Sequence, residues 1–106
     1  MREQLFLQER KGRLVEYWKE RLGIDDYAVI TERISLFQVS DDYCRVGNSF
    51  VGVCADHDEK VACIYHTRRL REDDIVHELL HVRHPSWTED EVNRAAAELL
   101  LKTRQG

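Results

Sequence analysis

Residues 73–85, "DDIVHELLHVRHP", carry the pattern on which the expected fold depends. His77 and His81 lie four positions apart, and Glu78 directly follows the first of them. On an α-helix, residues four apart project from the same face, so both imidazoles can direct a nitrogen at one metal ion. Pro85 is expected to end this helix. The stretch therefore predicts a helix that presents two metal ligands side by side.

The other residues of this helix are mostly apolar, which indicates a central, buried position. The apolar residues are Ile75, Val76, Leu79, Leu80 and Val82. A single buried histidine is usually a satisfied core residue, but two histidines and a glutamate on a buried helix all need partners. Zinc is the predicted cofactor, with His77 and His81 as ligands. Glu78 is placed to act as the catalytic general base toward a water in the open coordination position.

A catalytic zinc usually has three protein ligands, so a third ligand is expected after the motif helix. The candidates are Glu89, which is preferred, then Glu91, Asp90, His84 or no third protein ligand. Glu89 has Asn93 one helical turn later, where the amide could hydrogen-bond a ligand. These acidic residues could instead cap the last helix. Thr88 with Glu91 and Ser86 with Glu89 both match the sequence pattern of a capping box.

Hydrophobic periodicity predicts the remaining elements of a single α+β domain spanning residues 1–106. Apolar positions at helical spacing predict a first helix over 3–22, which Gly23 ends. Residues 27–39 are rich in β-branched and aromatic side chains and predict one strand or two short ones, followed by a loop. Residues 49–55 and 60–67 predict a hairpin. Two helices follow, which gives the order α-β-β-β-α-α with a small three- or four-stranded twisted sheet.

Composition restricts the class of protein and the expected partners. The chain has 106 residues and a net charge of -4, with 16 basic and 20 acidic residues mixed along it, which argues against nucleic acid and anionic membranes as partners. No apolar run approaches the ~20 residues of a membrane span, and the N-terminus lacks the apolar centre of a signal peptide. Three cysteines without a CxxC pair are expected to be reduced, with Cys54 and Cys63 buried in the hairpin. A soluble, cytoplasmic protein is the prediction.

Several residues near the motif have weaker assignments. Asp73 and Asp74 could orient His77, although acidic residues in a first helical turn more often interact with the helix dipole. Trp18 is expected in the core, and Trp87 is expected to pack near Val92 rather than to bind substrate.

The strand over 60–67 is a candidate rim of the cleft, whose edge could pair with an extended peptide. Unranked candidates for stabilising an oxyanion are Tyr65, His66, His84 and Tyr43.

The motifs as they stand resemble those of the gluzincin metallopeptidases, in which HExxH is followed by a glutamate ligand on a second helix. "HELLH" precedes "EDEVNRAAAELLL", with Val92 where alanine is usual in that family. The second segment is also similar to the glutamate helix of ImmA/IrrE-type peptidases, with Ala95 in place of an aromatic residue. Length and element order most resemble the minigluzincins, although specific residues match only from about His77 to Leu100.

The resemblance implies a zinc metalloendopeptidase with ligands His77, His81 and Glu89 and with Glu78 as general base. It implies a peptide or protein substrate. It also implies a latent, zymogen-like form in which a terminal segment or a second copy occupies the cleft, so that a homo-oligomer or a self-inhibiting contact is expected. The tail over 102–106 is the candidate segment. The alternatives are an ImmA-like regulatory protease with one protein substrate and a non-catalytic, zinc-stabilised binding module.

Overall fold

The computed structural model describes residues 2–35 and 50–105, with side chains described over 10–35 and 50–103. The elements are α1 (Arg2–Arg21), β1 (Ala28–Arg33), β2 (Val51–Asp56), β3 (Val61–His66), α2 (Glu72–Arg83) and α3 (Glu89–Gln105). The predicted α+β class and the order of elements are confirmed. The loop predicted around Tyr43 and Cys44 lies outside the described residues, as do the side chains at the end of the 102–106 tail.

The three strands form one mixed sheet in the order β1-β3-β2. β2 and β3 pair antiparallel, which confirms the hairpin, and β1 runs parallel to β3. The prediction that residues 60–67 form the rim of the cleft is wrong, because β3 is the central strand and both of its edges are already paired. An edge position belongs to β2.

The core lies between the inner face of the sheet and the helices. Strand alternation directs Ala62 and Ile64 of β3 inward, and both are buried. Trp18 of α1 is fully buried, as predicted, and its indole Nε1 donates a hydrogen bond to Glu72 Oε2 of α2 at 2.8 Å. This contact gives the indole nitrogen a partner and fixes α1 against the start of the motif helix.

Local capping interactions determine where α1 ends and how the chain turns into β1. Gly23 has a φ of +73°, the left-handed conformation that a glycine adopts at little cost. The Ile24 N–H donates to the Lys19 carbonyl at 2.9 Å, and the Gly23 N–H donates to the Glu20 carbonyl at 3.2 Å. This pair of bonds is a Schellman motif, which confirms the glycine stop predicted at this position.

The start of α2 is capped by Asp74. Its carboxylate accepts a hydrogen bond from the Arg71 backbone N–H at 2.9 Å. The same carboxylate accepts two hydrogen bonds from the Arg68 guanidinium, at 2.7 and 2.8 Å. Asp74 therefore joins the β3–α2 connection to the first turn of α2.

The Asp74 interactions should make stability depend on pH. Burial alone would raise the pKa of Asp74, but hydrogen bonds from Arg68 and Arg71 outweigh it and hold the pKa below the usual 3.8. Because the folded-state pKa is the lower one, the stabilisation is present above about pH 4 and is lost as the pH falls through the folded value. Asp74→Asn should lower the free energy of unfolding by about 1–2 kcal/mol at pH 7.

Urea denaturation of wild type and Asp74→Asn at neutral and strongly acidic pH measures this difference. Asp73→Asn is the matched control, because Asp73 lies in the same helical turn without the Arg68 pair. We expect the difference between wild type and Asp74→Asn to shrink in acid. A difference that is independent of pH would show that the ion pair does not produce it.

The hairpin cysteines face each other across two strands. Cys54 and Cys63 are direct partners in the β2–β3 register, and both are free thiols. Cys63 is buried as predicted, and burial raises the pKa of its thiol. Cys54 is exposed, so the prediction of a buried residue is wrong there. Among the described residues, no helix is long and apolar enough to cross a membrane.

Candidate metal centre

Three side chains from two helices converge at one point on the surface of the core. His77 and His81, one turn apart on α2, place their Nε2 atoms 3.2 Å from each other. Glu89, the first residue of α3, lies 3.1 Å from His77 Nε2 through Oε2 and 2.7 Å from His81 Nε2 through Oε1. This group of His77, His81 and Glu89 could hold a metal ion. The three residues are the ones that the sequence put forward as preferred ligands.

The chemistry and spacing of these donors fit zinc. Two imidazole nitrogens and one carboxylate are a common ligand set for catalytic zinc. Ligand atoms about 2.0–2.1 Å from a tetrahedral zinc lie about 3.3 Å from one another, close to the distances found here. Each Nε2 atom also faces a different carboxylate oxygen of Glu89, so all the donor atoms of the group point toward one common space.

The short connection between α2 and α3 decides which acidic residue joins the histidines. Thr88 Oγ1 accepts a hydrogen bond from the Glu91 N–H at 3.2 Å, and Glu91 Oε1 accepts one from the Thr88 N–H at 3.2 Å. Glu91 is therefore engaged as the partner of Thr88 in a capping box. Glu89 stands two residues earlier on the helix and is free of that role, so its carboxylate can face α2.

Glu78 occupies a buried position beside the three converging side chains. Glu78 is 6% exposed, and it lines two cavities. No fully buried side-chain oxygen or nitrogen among the described residues lacks a partner, so the Glu78 carboxylate reaches the open space of these cavities. Burial raises the pKa of Glu78 to about 8, and the charges of Glu89 and Asp74 add to the effect. A carboxylate largely removed from water is costly to the fold, and such costs are found mainly where a group has a functional role.

A cleft of about 720 Å³ lies in front of this group. The lining includes Val53 and Ala55 of β2, Val82 of α2, and Pro85 of the α2–α3 connection. His77, Glu78, His81 and Glu89 form its floor. The cleft therefore follows an edge strand and exposes the ligand group and the buried carboxylate to the same space.

Other residues singled out in the sequence lie away from the ligand group. Asp74 binds Arg68 and Arg71 rather than His77. Asn93 is exposed, and among the described residues it makes no hydrogen bond to Glu89, contrary to the expected arrangement. His84 stacks on Trp87 with ring centroids 3.6 Å apart, and Trp87 packs against the core, as predicted.

The oxyanion candidates within the described residues do not line the cleft, and one residue that the sequence did not suggest does. Within the described part of the chain, Tyr65, His66 and His84 are absent from the cleft wall, while Tyr43 lies outside that part. His57, in the β2–β3 turn, also lines the cleft. Its Nδ1 lies 2.8 Å from the phenolic oxygen (Oη) of Tyr27. The hairpin pattern placed His57 in a turn, but it carried no signal of which element that turn faces.

Comparison with protein-family models, curated proteins and solved structures finds no match to this chain. The resemblance to gluzincins therefore stays a prediction from the sequence motif.

Proposed function

We propose that this protein is a zinc-dependent peptidase that cleaves peptide bonds in the cleft between β2 and α2. The observation that carries the proposal is the convergence of His77, His81 and Glu89 beside the buried carboxylate of Glu78. Bound zinc would supply Lewis acidity, which polarises a carbonyl and makes a water molecule easier to deprotonate. The same ligand geometry without a neighbouring base would support zinc binding alone.

Glu78 would move the protons of the reaction. The positive charge of a bound zinc would favour the ionised form of Glu78. A carboxylate oxygen of Glu78 would then accept a proton from the attacking water and deliver it to the nitrogen of the leaving amine. The position of Glu78 in the lining of the cleft supports this role, because its carboxylate is available to water and substrate there. Burial also excludes bulk solvent from one side of the reacting groups.

The edge strand β2 would orient the substrate. Among the described residues, β2 pairs only with β3, so its second edge borders the cleft. An extended peptide can add to such an edge through backbone hydrogen bonds, which depend little on sequence. The cleft would thereby bring a peptide carbonyl past Glu78 and the ligand group.

A digest of a peptide library by zinc-loaded protein tests the proposal. We expect internal cleavage that a zinc chelator stops and that added zinc restores, with products identified by mass spectrometry. Cleavage of many unrelated peptides would favour a general peptidase over an ImmA-like protease with one substrate. Protein that binds zinc stoichiometrically and cleaves neither library peptides nor unfolded proteins would contradict the proposal and favour a binding module.

A further inference from the structure

A second cavity, of about 470 Å³, opens beside the cleft. It lies between α2, α3 and the start of β2, and His77 and Glu78 line both cavities. A substrate whose scissile bond lies beside Glu78 would therefore have one neighbouring side chain directed at this second space. We call it the side cavity.

The near walls of the side cavity suit an aliphatic chain. Val51, Ala96, Ala97 and Leu100 contribute its apolar surface. The two alanines are small, so α3 leaves open space where larger residues would pack against α2. Methylene groups entering here would be removed from water by apolar surface on several sides.

Apart from Glu78, the charged residues that line the side cavity carry a net negative charge. They are Arg68, Asp73 and Asp74, and the bidentate pair between Arg68 and Asp74 offsets one charge of each sign. Asp73 is exposed, and its carboxylate has no hydrogen bond or salt bridge to another described residue. The side cavity therefore combines apolar surface with one acidic group in excess.

Glu78 joins the side cavity to the proposed reaction site. The residue is more than nine-tenths buried, and it lines the side cavity as well as the cleft, so a group bound in one space lies next to the other. Asp73 precedes His77 by four residues, which is about 6 Å along the helix axis. That separation is close to the length of an extended lysine stem.

We propose that the side cavity binds a lysine or arginine side chain of the substrate, so that the protein cleaves next to a basic residue. The inference rests on the proposed peptidase function and adds the class of substrate. The methylene stem would pack on Ala96, Ala97 and Leu100, and the cation would lie near Asp73. Asp73 is a specificity-determining residue in this arrangement and takes no part in the chemical step.

Three peptides that differ only at the residue beside the cleaved bond test this inference. Lysine, norleucine and glutamate at that position separate charge from apolar length, since norleucine retains the stem without the ammonium group. We expect kcat/KM to be roughly fivefold higher for the lysine peptide than for the norleucine peptide, the scale of an exposed charge pair, and lowest for glutamate. Asp73→Asn should abolish the preference for lysine over norleucine, whereas the exposed turn variant Asp25→Asn should retain it.

The outcomes separate this inference from the proposed function. Equal cleavage of the lysine and norleucine peptides by wild type, or an unchanged preference in Asp73→Asn, would overturn the inference and leave the peptidase proposal standing. Failure to cleave any peptide would overturn both. Binding of the lysine and norleucine peptides to a Glu78→Gln variant, measured by fluorescence anisotropy, provides a readout without turnover, and we expect the same order of affinity.

Discussion

Glu78→Gln should lower kcat/KM for peptide hydrolysis by about 10²–10⁴-fold while zinc stays bound. Glutamine has the same shape as glutamate but cannot accept a proton from water at neutral pH. Glu78 is also outside the group of His77, His81 and Glu89, so its replacement removes none of the converging donor atoms. Hydrolysis of a library-derived peptide and zinc content of the same sample together measure this result.

The fold should not suffer from this substitution. Glu78 is only 6% exposed, and burial raises the pKa of its carboxyl group to about 8. A neutral amide of the same size removes the cost of burying a charge, so the free energy of unfolding should stay equal or rise. Loss of activity with retained stability is the pattern expected of a functional residue rather than of a core residue.

Glu98→Gln is a matched control for the change in charge. Glu98 is exposed on α3 and does not line either cavity, so this variant should keep the wild-type rate. Hydrolysis by Glu78→Gln at the wild-type rate would exclude Glu78 as the general base. Loss of zinc from Glu78→Gln would instead indicate that Glu78 is a ligand.

Local sequence signals were sufficient for the elements and insufficient for their arrangement in the sheet. Apolar spacing predicted α1, α2 and α3, because a helix buries one face and the period is visible in a single segment. The position of β3 in the centre of the sheet depends on which strands pair. Consecutive apolar residues indicate that a strand is buried, but they do not show which strands lie beside it. For this reason the sequence placed the rim of the cleft on β3, whereas the structure has β2 there.

The candidate metal centre also has a part that one segment of sequence predicts and a part that depends on how the segments pack. His77 and His81 could be paired from the sequence because four residues on a helix fix their relative position. The sequence preferred Glu89 as third ligand but left Glu91 and Asp90 open, because the path of the turn between the two helices is not visible in a single segment. In the structure the carboxylate of Glu89 lies beside both histidines, and the capping box of Thr88 engages Glu91. His57 could not be predicted for the cleft, because its place depends on the packing of the β2–β3 turn near α2.

Replacing any one of His77, His81 and Glu89 should remove most of the bound zinc. Structural zinc sites bind the ion with a free energy of ~10–16 kcal/mol at neutral pH. Divided among about four ligands, this is ~3 kcal/mol for each ligand. His77→Ala, His81→Ala and Glu89→Ala should therefore weaken zinc binding by roughly 100-fold or more. Metal content after equal loading and dialysis measures the effect, and wild type should retain close to one zinc per chain.

Two variants at neighbouring acids make this test specific to Glu89. Asp90→Asn and Glu91→Gln change the same helical turn and remove the same charge, but neither residue belongs to the converging group. Glutamine can also keep the capping box with Thr88. Both variants should retain zinc, whereas greater loss in Glu91→Gln than in Glu89→Ala would move the third ligand to Glu91.

Thermal unfolding separates loss of a ligand from loss of the fold. Zinc at about 100 times its dissociation constant should stabilise wild type by about 2.7 kcal/mol, since an ion that binds only the folded chain shifts the equilibrium by mass action. For a domain of this size that shift corresponds to a rise in Tm of roughly 10 °C. His81→Ala should unfold cooperatively with a Tm that zinc does not raise. Wild type whose Tm and metal content are both unaffected by zinc would mean that His77, His81 and Glu89 form a hydrogen-bonded cluster, and the peptidase proposal would then lose its basis.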